Sequence, residues 1–243
     1  MTRISINEVP NSSCTEILDY CHCIEEIRQH SLTIVNTLMR QNPLNATIDL
    51  PLVAIAMAQR ADEIAASATI LLLKNRERDA GVLILSAYEL QLDAMYIAQN
   101  PIRANIWLDH ARENCKPWKI RDLQTELFPN ENEFDAEVEI YRRYSMIKHC
   151  NPTGGIFAFP VAVSRNQIHL DVLDGPRFAY VHLFALGTAV VRTLNAVSSF
   201  VQTHGFDLDR IIEDLKIGQR KLNALNRDYI LRCIAQEDIR TGK

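Results

Sequence analysis

Three Asn-Pro pairs, Asn42-Pro43, Asn100-Pro101 and Asn151-Pro152, each close a stretch of helical periodicity in this chain. Proline lacks the backbone donor and pushes the residue before it out of the α region, so each pair reads as a helix end. Between these stops turn formers are scarce, with Gly 8 and Pro 9 in 243 residues. Few turns imply few, long elements joined by short loops, which favours helices over a many-stranded sandwich.

Residues 1–12 carry no periodicity and read as an irregular lead-in. Ser13-Cys-Thr-Glu16 fits a capping box at a helix start. Ile17, Tyr20, Ile24, Ile27, Ser31, Ile34, Val35 and Leu38 then recur at three and four residues, an amphipathic stripe ending at Asn42. Pro51 suits a first helical turn, and the stretch from Leu52 to Lys74 is rich in alanine, which lets neighbouring helices approach closely and predicts a central position. Further helices are predicted over 81–99, 102–114 with Trp107 as anchor, a short piece over 117–128, and 133–149. Val, Ile and Phe then concentrate in 156–163 and 168–173, which predicts a small β-hairpin with Pro160 at an edge or bulge. Two long helices follow, 177–204 closed by Gly205, and 207–236, with a frayed tail over 239–243. The expectation is an all-α, single-domain bundle over 1–243, of about seven or eight helices with the hairpin at 156–173 inserted before the last two.

The stretch 177–204 is apolar enough to raise a membrane span, but His182 and Arg192 interrupt it, so it reads as a buried core helix. A net charge of -4 argues against a general DNA coat or an anionic-membrane binder, while leaving room for a local basic pocket. The 6 cysteines are scattered with no Cys-x-x-Cys pair and no secretory signal before them, which points to reduced thiols in a cytoplasmic protein. Neighbouring Cys21, His22 and Cys23 would splay about 100° apart on a helix and would not converge on one ion. Glu89 and Asp93 share a helix face, but the Glu-x-x-His repeats of di-metal bundles are missing, so neither a metal nor a cofactor is expected.

Glycine-rich nucleotide loops, zinc-protease and serine-hydrolase signatures are also missing from the sequence. Candidate chemistry gathers instead between Glu137 and Thr153. Tyr141, Ser145 and His149 recur every four residues as one helical stripe, expected to face inward, and Arg142, Arg143 and Lys148 flank it with positive charge. Arg143 lies about 120° round from His149, within reach of a shared pocket for its long side chain. His149 falls in the last turn, where unpaired carbonyls favour the imidazolium form, so it suits phosphate binding or proton transfer. Cations in a last turn also complement the helix dipole with nothing bound.

Arg143, five residues and His149 resemble the arginine-histidine motif of the HEPN superfamily, helical proteins found among toxins, phage-defence factors and CRISPR-associated ribonucleases. The resemblance implies a homodimer in which two motifs meet and cleave RNA without metal. Arg143 would stabilise the phosphate and His149 would transfer or position a proton. After the arginine stands Tyr144, where many catalytic members carry a small or polar residue. A second likeness runs from Leu85-Ser-Ala-Tyr-Glu89 through Pro101 and Trp107 to Tyr141–His149 and the hairpin. It resembles an uncharacterised family of bacterial helical proteins with a Tyr-x-x-x-Ser-x-x-x-His pattern, and it implies that Glu89 and His149 share a polar cluster. Two functions follow as expectations: a metal-independent ribonuclease with RNA at a local basic pocket, or a non-catalytic binding or scaffold module in which Glu89, Tyr141, Ser145 and His149 form a structural hydrogen-bond network.

Overall fold

The structure is a computed structural model describing residues 15–41, 49–74, 76–113, 117–149, 161–164, 167–170 and 176–241. Its architecture is an all-helical bundle, with eight helices among the described residues: α1 Thr15–Gln41, α2 Asp49–Leu73, α3 Glu77–Gln99, α4 Arg103–Glu113, α5 Ile120–Leu127, α6 Glu131–Lys148, α7 Pro176–Gln202 and α8 Asp209–Thr241. Within the predicted hairpin the described residues pair antiparallel, Val161 opposite Leu170 and Ser164 opposite Gln167; the rest of 156–173 lies outside the described residues. So do the lead-in 1–12 and Ser13 of the expected capping box.

The bundle is centred on α7, which packs against α1, α2, α3 and α8. Leu183, Leu186, Leu194, Val197, Phe200 and Val201 on this helix are all fully buried, and each such side chain contributes roughly 1.5–3 kcal/mol of burial. The apolar run of α7 is long enough to cross a membrane by length and composition, but 67% of its window is buried inside the bundle. His182 and Arg192 turn toward protein partners rather than lipid. Beside α7, helix α2 presents Ala54, Ala58, Ala61, Ala65 and Ala68, all buried, at alternating steps of four and three. That row of small side chains explains how α2 can contact α1, α3, α4 and α7 at once.

Helix ends follow local chemistry. At the start of α6, Asn130 Oδ1 accepts from the backbone N–H groups of Asn132 at 3.0 Å and Glu133 at 3.3 Å, a side-chain cap that fixes where the helix begins. After α7, Gly205 adopts φ +88°, the left-handed conformation that ends helices and that residues with a Cβ resist. The last helix, α8, continues through Ile239 to Thr241. No glycine or proline stands between Ala235 and Thr241 to stop it.

Candidate functional site

Helix α6 lies on α3 and α5, and the face it turns inward is set by the helical repeat. The buried residues are Glu137, Tyr144 and Ile147, with Ile140 and Tyr141 partly buried beside them. This line steps by three and four residues and stays on one face. A stripe stepping only by four drifts about 40° each time, so it has turned about 80° by its third member. That is the physical reason the expected inward stripe has turned outward by its last member, His149. Tyr141 packs near Tyr88, ring centroids 6.1 Å apart, Ser145 is half-buried, and His149 is exposed. As the C-cap of α6, His149 donates its backbone N–H to the Ser145 carbonyl.

Behind α6 two polar groups of α7 find partners. Glu137 Oε1 accepts from Arg192 Nη1 at 2.7 Å, and the carboxylate side chain is 7% exposed against 39% for the arginine. The Glu137 backbone carbonyl accepts from the Tyr88 hydroxyl at 3.1 Å and from Gln124 Nε2 at 3.1 Å, and Gln124 Nε2 also donates to Tyr88 Oη at 3.0 Å. Three helices are therefore locked to one turn of α6. One turn further on, Tyr144 Oη and His182 Nδ1 share a hydrogen bond at 3.0 Å. Burial pushes His182 down to about 4, so its ring is neutral at pH 7, and burial also raises the Tyr144 hydroxyl.

Between α3, α6, α7 and α8 these residues line a cavity of about 630 Å³. Its apolar wall includes Ile140, Ile147, Val181, Phe184 and Ala185; its polar wall includes Gln91, Glu137, His182, Thr188, Arg192 and Asn195, with Arg143 also in the lining. Among the described residues, eight buried side-chain atoms have no hydrogen-bond partner, and four of them belong to this lining: Gln91 Nε2, Glu137 Oε2, Thr188 Oγ1 and Asn195 Oδ1. Leaving such an atom unpaired costs about 1–3 kcal/mol, so their concentration at one cavity calls for water or a ligand there.

No family model, curated protein or solved structure matches this chain. Its site must be judged on its own residues.

Of the cations expected to gather on α6, Arg142 and Arg143 are both exposed and both bind Glu139. Arg142 Nε donates to Oε2 at 2.7 Å and Nη2 to Oε1 at 2.9 Å, while Arg143 Nε donates to Oε1 at 2.9 Å. Hydrogen bonds from Arg142 and then Arg143 hold the Glu139 carboxyl down to about 2. Lys148 is exposed in the last turn. Glu89 is not brought to His149. It lies on a separate cavity with Arg60, Asp93, Trp107, His110 and Trp118. Residues gathered at the larger cavity without having been singled out are Tyr88, Gln91, Glu137, Tyr144 and Thr188. The available signal was the polar pair His182 and Arg192 within an apolar helix, which requires buried partners from another element. Among the described residues no group of three or more metal-ligating side chains is present.

Proposed function

We propose that this chain is a non-catalytic helical binding module whose cavity between α3, α6, α7 and α8 takes a small amphipathic ligand. The observation that carries the proposal is the coincidence of an apolar wall with four unpartnered buried polar atoms on residues lining one cavity. A volume of about 630 Å³ suits a small organic molecule, and such sites combine apolar walls with a few placed polar groups. The hydrogen-bonded residues Tyr88, Gln124, Glu137 and Arg192 supply the structural network for this module, holding the walls of the cavity in place. A hairpin filling all of 156–173 belongs to the same proposal, as do a homodimeric state and a cytoplasmic location.

Anilinonaphthalene sulfonate, a fluorescent amphipath, tests the reading. The expected result is saturable binding at one site per chain, abolished by Ala185→Phe, which fills the cavity while the folded state persists by circular dichroism. Unaltered dye binding in the Ala185→Phe protein would reject the cavity as the site.

A second reading, an HEPN-like metal-independent endoribonuclease of toxin or phage-defence type, draws on the exposure of both Arg143 and His149 toward the C-terminal end of α6. Exposure leaves both accessible to an RNA phosphodiester, with Arg143 stabilising the phosphate and His149 handling a proton. Incubation with mixed RNAs in EDTA should then yield cyclic-phosphate ends that disappear in Arg143→Ala and His149→Ala. Equal, negligible cleavage by all three proteins removes this reading.

A further inference from the structure

The two ends of the larger cavity differ in what they require of an occupant. Helices α6 and α7 run antiparallel beside it, since Tyr144 meets His182 at one level and Glu137 meets Arg192 at another. The stretch of α7 from His182 to Arg192 separates these levels by about 15 Å at the helical rise. At the first level the polar groups serve one another, Tyr144 Oη and His182 Nδ1 lying 3.0 Å apart. The wall beside them is apolar, with Ile147, Val181, Phe184 and Ala185. On α8, Gln219 Nε2 donates to Asn223 Oδ1 at 3.0 Å, so that part of the lining is paired as well.

The second level holds the unpaired atoms. Thr188 and Asn195 stand one turn to either side of Arg192 on α7, and Gln91 stands one turn beyond Tyr88, whose hydroxyl donates to the Glu137 carbonyl. Glu137 Oε2 and Asn195 Oδ1 can only accept, Gln91 Nε2 can only donate, and the Thr188 hydroxyl can do either. Charge at this level is balanced: the Glu137 carboxylate and the Arg192 guanidinium are 2.7 Å apart, so a charged head of either sign would meet one like charge. Arg143, also in the lining, donates to Glu139 at 2.9 Å.

An occupant matched to both levels has an uncharged head, with two donors beside an acceptor, on an apolar body. A carboxylate or an ester brings acceptors only, and a simple alcohol brings a single donor. A primary carboxamide brings two N–H groups and a carbonyl oxygen. We propose that the larger cavity binds a fatty primary amide, with its carboxamide at Gln91, Glu137 and Asn195 and its hydrocarbon chain along Ile147, Phe184 and Ala185. An analogue without the N–H groups would leave the buried acceptors unmatched, and that loss is what gives such a head its selectivity. The inference rests on the reading of this cavity as a binding site, and adds the class of ligand and the direction in which it lies.

Calorimetric titration of the full chain with octanamide should show saturable binding at one site per chain, lost in Ala185→Phe. Octanoate, octylamine and methyl octanoate share the tail and should each bind more weakly by about tenfold or more. Glu137→Gln should narrow the margin of octanamide over octanoate, because it removes the carboxylate that repels an anionic head and releases Arg192 to meet one; a merely structural Glu137 would weaken both alike. The proposal is overturned if octanamide gives no saturable heat, if any of the three analogues matches it, or if its binding survives Ala185→Phe. Equal binding of glycerol monooctanoate, a neutral diol, overturns the amide as well, and so does an unchanged margin in Glu137→Gln. Failure of the amide alone is recognisable: anilinonaphthalene sulfonate then still binds and is still lost in Ala185→Phe, whereas failure of the cavity reading leaves dye binding unaltered in that variant. The comparison among ligands uses only the wild-type protein, so it stands even if a variant fails to fold.

Discussion

Tyr144 Oη lies 3.0 Å from His182 Nδ1 in the contact between α6 and α7, both residues buried. Burial holds His182 down to about 4, against about 6.5 in an unfolded chain. Between those two values the unfolded state binds more protons than the folded state, so stability is present at neutral pH and is lost as pH falls. The loss between pH 7 and pH 5 should be roughly 2 kcal/mol. Urea unfolding at the two values measures it, and His182→Gln should flatten this component of the pH profile. An unchanged pH dependence in that variant would place the responsible group elsewhere.

The Glu137–Arg192 pair is asymmetric, with the carboxylate buried and the guanidinium partly in water. Removing the arginine strands a buried charge, whereas removing the carboxylate charge leaves a cation that can turn to solvent. Arg192→Met should therefore destabilise by about 3 kcal/mol, and Glu137→Gln by about 1 kcal/mol. Chemical denaturation at neutral pH gives both values. The reverse order would mean that the carboxylate does not depend on Arg192.

These two contacts also mark where sequence reading stops. The alanine steps of α2, the Asn100-Pro101 end of α3 and the Gly205 stop could be read locally, because each is decided within one or two turns of chain. His182 and Arg192 were visible as polar residues inside an apolar helix. Their partners were not, since Tyr144 stands 38 and Glu137 55 residues away, and nothing in a single sequence states which helix packs against which. On α6 the error was one of phase. Tyr141, Ser145 and His149 gave a pattern by spacing, but the inward face ran through Glu137 and Tyr144, leaving His149 exposed. Glu89 and Asp93 were correctly placed on one helical face, yet only the position of α4 and α5 could bring two tryptophans to that face.

Gln91 is 1% exposed and its Nε2 has no hydrogen-bond partner among the described residues. An unpaired buried amide is a burden on the unliganded fold, and an apolar side chain of similar length relieves it. Gln91→Leu is expected to leave stability unchanged or raise it by about 1 kcal/mol, as read from the denaturation midpoint. A loss of similar size would instead indicate that water held in the cavity already pairs with this amide.

Gly187 marks a close approach of α7 to α1 and α8. A Cβ built there would stand 2.8 Å from Leu222 Cδ1, 3.0 Å from Leu222 Cδ2 and 3.3 Å from Ile24 Cγ1. Both neighbours are fully buried, so neither side chain has an open direction in which to yield. Alanine would gain about 1 kcal/mol of helix preference over glycine, but overpacking typically costs about 1–3 kcal/mol. The clash should win, and Gly187→Ala should destabilise the protein by about 1 kcal/mol. Shortening the facing side chain separates this cause from any other. Leu222→Val removes the Cδ atoms and is mildly destabilising alone, yet combined with Gly187→Ala it should recover about 1 kcal/mol relative to the sum of the single changes. Strict additivity in that double-mutant cycle would show that the Gly187–Leu222 contact does not set the spacing of α7 and α8.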